Sequence, residues 1–331
     1  MNPLRSLCRY AVAVALALAA GGASAQAGPQ AAPAAAGWKP ERPVTLVVPY
    51  SPGGGTDVMA RQVAKELSRR WNQSVNVENT PGADGLLGTR RVIEAKPDGH
   101  TFLVQLPSLV LNKHLPGFKG ADPTTQLIPV VAYSVLAGVY VVNAAIPGRT
   151  LSEVLAYCRT APQPCTFGTT ENTARLRLQM LQSTELPSMI VVNYKGGGQL
   201  ITDLVGNSIN VGSMGYTAVI PHMASGKLRV VMSSGKERSP VLPDVQSAIE
   251  AGYPQLLGET WYGLFAPLGT PKPIVDAVSA AVREAIRDET VLKSFATLGA
   301  SPIGNTPEQF AQLVREEAER LEALVKRFPI Q

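Results

Sequence analysis

Histidine is scarce in this chain: His100, His114 and His222 are the only three in 331 residues, they lie far apart, and no CxxC pair accompanies them. That absence argues against a metal site. No G-x-S-x-G turn occurs and no histidine stands near a nucleophile in a recognisable pattern, so an exported hydrolase or other enzyme finds no residues to carry it. No Lys-Ser or Lys-Thr follows the glycines of "SPGGG", and neither "PGADGLLG" nor "YKGGGQ" has the spacing of a dinucleotide fingerprint. Nucleotide phosphates are therefore disfavoured, and no cofactor is expected. Past the N-terminus no stretch approaches about 18 consecutive apolar residues, so the mature chain is expected to be soluble. Strong charge is missing too. The formal +5 falls by two to +3 if Arg5 and Arg9 leave with an acid-free leader. The remaining basic residues alternate with acids along helices such as "AKELSRR", which is a solvated face and disfavours nucleic acid.

What is present begins with a leader. Arg5 and Arg9 form a basic start, "YAVAVALALAA" is an apolar segment too short to span a bilayer, and "ASA" precedes Gln26. This predicts a signal peptide over residues 1–25, cleaved after Ala25, with "QAGPQAAPAAAG" a flexible tether up to about residue 38. Export, most simply to a periplasm, would remove Cys8 and leave Cys158 and Cys165. In an oxidising compartment a disulfide closing that short, proline-containing loop is favoured; two buried thiols or half a metal site are the competing readings.

From Glu41 onward short β-branched runs alternate with amphipathic helical patterns. "VTLVVPY" precedes "DVMARQVAKELSRRW", "CTFGTT" precedes "ARLRLQMLQS", and "MIVVNY" precedes "QLITDLVG". The alternation predicts an α/β protein with parallel, doubly wound sheets, and the length predicts two such domains. The last 60 residues read as two helical units that fold back on a sheet made earlier, the second opened by a capping signal at Thr306, Pro307 and Gln309. Three strand-to-helix turns, "SPGGGTD", "GTTENTA" and "YKGGGQ", put glycines, hydroxyls or both at the C-terminal ends of strands, where open α/β sheets bind ligands. Close backbone approach and helix N-termini point to an anion there, and a carboxylate suits them as well as a phosphate. The alternative for each loop is that its glycines merely turn the chain. Asp57, Asp84, Glu171 and Asp203 sit at or near helix starts, where capping accounts for them.

The strings "RPVTLVVPYSPGGGTDVMAR", "VENTPGADGLLGT" with "AKPDGHTFL", "VNYKGGGQLITDLVGNSINV", "PHMASGKLRVVMSSGKERSPVLPDV" and "WYGLFAPLGTP" resemble, in order from about Trp38 to the C-terminus, the tripartite tricarboxylate transporter substrate-binding proteins, or Bug receptors. The resemblance implies a two-lobed periplasmic binding protein fold (type II-like), each lobe a doubly wound sheet flanked by helices. Lobe 1 would hold residues 39–141 and 260–331, and lobe 2 residues 142–259. It implies a receptor, most simply a monomer, that closes on a small carboxylate and delivers it to the membrane subunits of a tripartite transporter; the alternative is signalling to a membrane sensor kinase. Carried over by position, Ser51 to Asp57 form the cradle, with the backbone of Gly54, Gly55 and Thr56 holding a carboxylate. Thr169, Thr170, Lys195, Gly196 and Gly197 would hold the rest. Ser108 and the turn with Met214 and Tyr216 are weaker lining candidates. The chain departs from the family where a glycine- and serine-rich loop ending in His is usual: it has "GTTENTAR", about two residues shorter, with Arg175 at the His position. Arg175 would either pair with a distal carboxylate or face solvent, and Asp57 would either cap its helix or meet a ligand ammonium.

Overall fold

The computed structural model describes residues 38–194 and 197–330. The expected leader, its cleavage site and nearly all of the tether lie outside them, as do Lys195 and Gly196.

Alternating burial starts the architecture. In β1 (Val44–Val48), Val44, Leu46 and Val48 enter one apolar cluster and Val47 another, so both faces of the strand are covered. Such a strand reads as a continuous apolar run because no face is left for water. Helix α1 (Gly55–Trp71) buries Met59, Ala60, Val63, Ala64 and Leu67, spaced at three and four residues, against the first of those clusters. Each fully buried valine or leucine contributes about 1.5–3 kcal/mol. Asn72, left-handed at φ 51°, ends the helix.

The remaining strands are β2 (Val75–Asn79), β3 (Thr101–Gln105), β4 (Leu127–Asn143), β5 (Thr166–Thr169), β6 (Ile190–Asn193), β7 (Val211–Gly215), β8 (Leu228–Ser233), β9 (Glu259–Pro267) and β10 (Ala300–Pro302). The order along the sheet is β2-β1-β3-β9-β4-β7-β5-β6, with β8 and β10 also pairing β4. β1 runs parallel to β2 and β3, and β5 parallel to β6 and β7. The expectation of purely parallel sheets needs correction. β9 and β4 run antiparallel to their neighbours, so the sheet is mixed. β4 belongs to both halves of the sheet, while β9 pairs β3 and the first part of β4 within one half. The 17-residue β4 pairs β9 through its first part and β7 and β8 through its last.

Four apolar clusters fill the two faces of each half. Along β4, Val131 and Tyr133 join one, Leu127 and Ala132 a second, Tyr140 and Val142 a third, and Val139 and Val141 a fourth. The helices that cover them after α1 are α2 (Leu86–Ile93), α3 (Leu151–Thr160), α4 (Asn172–Thr184), α5 (Gly197–Val205), α6 (Ile220–Ala224), α7 (Lys272–Ala285), α8 (Glu289–Thr297) and α9 (Pro307–Arg327). The first of the two C-terminal helical units is thus two helices, parted where Asp288 accepts a hydrogen bond from the Thr290 N–H and caps α8. The second unit, α9, begins with the full capping box at Thr306 and Gln309. It folds back through Phe310, whose ring lies over Gly263 of β9; a Cβ there would stand 2.2 Å from the ring. Cys158 on α3 and Cys165 ahead of β5 are both buried and form the disulfide.

Candidate functional site

The "SPGGGTD" turn leaves the C-terminal end of β1 and enters α1. Ser51 to Gly55 are exposed, whereas Thr56 and Asp57 are buried. Gly54, the residue before the helix, offers no side-chain oxygen to the first helical N–H groups. They stay available to a ligand, with the positive end of the helix dipole behind them. Gly53 holds φ +80°, a conformation that favours glycine. Its N–H donates to Asp57 Oδ2 at 2.9 Å. Asp57 also accepts from Arg61 Nε and from Asn79 Nδ2, each at 2.9 Å, and pairs with Arg61 at the same distance. Desolvation would raise its carboxyl, but the bonds from Arg61, Gly53 and Asn79 together outweigh it and hold the group below its ordinary value. Asp57 therefore stitches the glycine turn to α1 and β2, and its oxygens are occupied.

Behind the turn lies a polar network. The Tyr50 hydroxyl donates to Gln105 Oε1 at 2.9 Å and lies 2.7 Å from Ser108 Oγ. Gln105 Nε2 reaches Thr89 Oγ1 at 3.3 Å, and Thr89 donates to the Gly85 carbonyl at 2.8 Å. Burial pushes the Tyr50 phenol far above its ordinary value. Ser108 is buried within this network and shares its oxygen with Tyr50.

The facing turn runs from β5 into α4. Thr169 is fully buried and accepts from the Glu171 N–H at 3.3 Å; Thr170 is half-buried. Asn172 Nδ2 donates to Asp84 Oδ2 at 3.0 Å, tying the start of α4 to the turn before α2. Desolvation raises the Asp84 carboxyl, and the bond from Asn172 eases it only in part. Gly197 opens α5 with free space where a side chain would be.

These elements enclose a cavity of about 170 Å³. Gly55 lines it from α1, Leu136 and Gly138 from β4, Met214 with its neighbours from the end of β7, and Thr260 and Tyr262 from β9. Of the residues expected at the site, Gly55 and Met214 reach this cavity. Ser51, Gly54, Thr56, Asp57, Ser108, Thr169, Thr170, Arg175, Gly197 and Tyr216 are not among its lining residues.

Arg177 and Glu171 do line it: Arg177 lies beyond the loop, and Glu171, expected to cap its helix, precedes α4 without a side-chain capping hydrogen bond. Arg177 is 5% exposed, and its Nε has no hydrogen-bond partner among the described residues. Burial lowers its affinity for the proton, while neighbouring Tyr140, Glu171 and Glu317 favour the charged form and Arg320 opposes it. The Tyr140 hydroxyl has Arg177 and Ser213 as neighbours, yet neither reaches hydrogen-bonding geometry with it. Gly258 makes room for the guanidinium: a Cβ there would stand 2.3 Å from Arg177 Cζ. Ser234 fixes that glycine by donating Oγ–H to its carbonyl at 2.8 Å. Glu171 is open to the cleft, and desolvation raises its carboxyl, Arg177 acting against this and Asp84 with it. One sequence signal pointed to Arg177. It falls three residues after Ala174 and four before Leu181, on the buried stripe of α4.

Two mixed half-sheets joined through β4, with a polar cavity and an uncapped helix start between them, define a two-lobed solute-binding protein. The family model for the tripartite tricarboxylate transporter family receptor matches residues 59–330, and the chain belongs to that family. It is 31% identical over 300 residues to protein BugT of Bordetella pertussis, covering 89% of this chain and 92% of BugT. Among solved structures it is similar to MatC of Rhodopseudomonas palustris with bound malate: 31% identity, TM-score 0.72, 86% of this chain and 99% of that one. It is also similar to an R. palustris protein with adipate: 27% identity, TM-score 0.77, 87% and 97% of the respective chains. The family is one of solute receptors and not of enzymes.

Proposed function

We propose that this chain is exported, processed after Ala25, and acts in the periplasm as a monomeric receptor. It captures a small carboxylate between a lobe of residues 39–141 and 260–331 and a lobe of residues 142–259. It then delivers the ligand to the membrane subunits of a tripartite transporter. The observation that carries the reading is the cavity lined by a buried guanidinium and by Gly55, in the first turn of a helix whose preceding residue, Gly54, offers it no side-chain cap. A carboxylate satisfies both kinds of donor at once. The malate and adipate in the related structures support the ligand class, and the family description supports the transporter as partner. Thr169, Thr170 and the Lys195 to Gly197 turn complete the proposed set, closing over the ligand from the second lobe.

A thermal-shift screen of the exported protein tests this. Mono-, di- and tricarboxylates, acidic amino acids and aromatic acids form the panel, with nucleotides and sugars as controls. A ligand at about a hundred times its Kd adds roughly 2.7 kcal/mol, enough to shift unfolding by a few degrees. A shift by one carboxylate class is expected. Shifts by nucleotides or sugars alone would overturn the reading.

A further inference from the structure

The cavity holds two side chains of opposite charge that do not neutralise each other. Arg177 is nine-tenths buried, and its Nε points at no acceptor among the described residues. A buried, unpaired guanidinium is costly, and arginine does not escape by losing its proton. The nearby acids do not relieve it. Glu317 is gripped by Arg320, which donates to both of its carboxylate oxygens at 2.6 and 2.5 Å. Asp57 is occupied by Gly53, Arg61 and Asn79. Asp84 accepts from Asn172. That leaves Glu171, which lines the same cavity, attracts Arg177 through space, and has no hydrogen bond on its carboxylate among the described residues.

We propose that Arg177 and Glu171 select a zwitterion, a small amino-carboxylate whose carboxylate meets the guanidinium and whose ammonium meets the glutamate. This rests on the receptor reading and narrows it. A dicarboxylate would satisfy Arg177 but set a second anion against Glu171, whereas an amino-carboxylate leaves neither charge unpaired. Like-charge contact in a confined site discriminates against the wrong partner. Gly258 is part of the device, because any side chain there would meet the guanidinium. Ser234 is its support, holding Gly258 by the 2.8 Å bond to its carbonyl.

Calorimetric titration of the exported protein with matched pairs tests the proposal. Aspartate against succinate, glutamate against glutarate and alanine against propionate differ by the ammonium alone. The wild type is expected to bind the ammonium-bearing member of at least one pair tenfold or more tighter. In Glu171→Gln the ratio collapses below about threefold, while the affinity for the partner lacking the ammonium holds or improves. Arg177→Met, which keeps the bulk and removes the charge, weakens both members a hundredfold or more. It also leaves the unliganded protein as stable as the wild type or more so, since a buried unpaired charge has been removed. A merely structural arginine would instead lower the Tm. Gly258→Ala supplies an independent variant, expected to weaken both members by displacing the guanidinium. Equal binding within every pair, or binding indifferent to Arg177→Met, overturns this inference and leaves the receptor reading standing. If no carboxylate of either kind binds the wild type, the receptor reading itself falls, and this one with it.

Discussion

Asp57 shows how one side chain reads differently once its surroundings are known. At a helix start beside a candidate anion cradle it was open to two roles, a cap or an ammonium partner. Its four contacts, to Gly53, Asn79 and twice to Arg61, make it the pin that holds the glycine turn in shape. Asp57→Ala removes the acceptor of the Gly53 N–H and one of the two acceptors of the Asn79 amide, the Tyr50 carbonyl being the other, and an expected loss of about 3 kcal/mol follows, readable in urea unfolding. Asp57→Asn keeps the size and loses the charge, so it falls between. Because the folded-state pKa of Asp57 is lowered, its contribution is complete above the unfolded value of about 3.9 and disappears as pH falls through the folded value. The gap between wild type and Asp57→Asn should therefore narrow on acidification. A gap constant down to pH 2 would remove the charge from the explanation. At this scale sequence reading located the exposed glycines of the turn and Met214, because glycines before a helix announce bare backbone. It assigned Glu171 to capping and passed over Arg177, because whether a charge is buried and unpaired depends on strands such as β9 that lie far away in the chain.

Elements whose pattern is local were legible, and those defined by partnership were not. β1, α1, α4 and the capping box of α9 follow from periodicity and end signals within a few residues. The antiparallel β9 and the first half of β4 do not, since direction in a sheet is set by the neighbour across the ladder. The little strand β10 exists by pairing β4 through Ala300 to Pro302. The disulfide is an element-scale device of the legible kind. It ties the end of α3 to the start of β5, immediately ahead of Thr169 and the α4 turn. Closing a loop of about eight residues should contribute roughly 2.5 kcal/mol through the unfolded chain. A Cys158→Ser, Cys165→Ser double variant is thus expected to melt about 4 °C lower with its secondary structure intact. An unchanged Tm would mean that packing around the two cysteines already fixes this corner.

The whole molecule brings two raised carboxyls, Asp84 and Glu171, close enough for the first to act on the second, and the consequence is a pH dependence of the unliganded state. Desolvation raises Asp84 and Glu171, offset by the bond from Asn172 for the first and by Arg177 for the second, and the Asp84 charge raises Glu171 further. Tyr50 and Tyr262, whose phenols also feel Glu171, are raised far above the neutral range by burial and stay protonated throughout. A carboxyl with a raised folded pKa binds its proton more tightly in the folded protein than in the unfolded chain. Its stabilising contribution is complete below the unfolded values of about 4 and is lost as pH rises through the folded values; both side chains are exposed, so solvent screening keeps it small. Asp57, Glu66, Asp122 and other lowered acids act in the opposite sense, so total stability is a poor readout. The difference between wild type and Glu171→Gln isolates one group. The variant is expected to gain on the wild type as pH rises from about 4 toward 7, and parallel curves would show that Glu171 titrates as in the unfolded chain. Repeating the comparison with a bound amino-carboxylate adds the second half of the argument: an ammonium beside Glu171 favours its ionised form, so the wild-type slope should flatten with ligand. A dicarboxylate in the same place should steepen it.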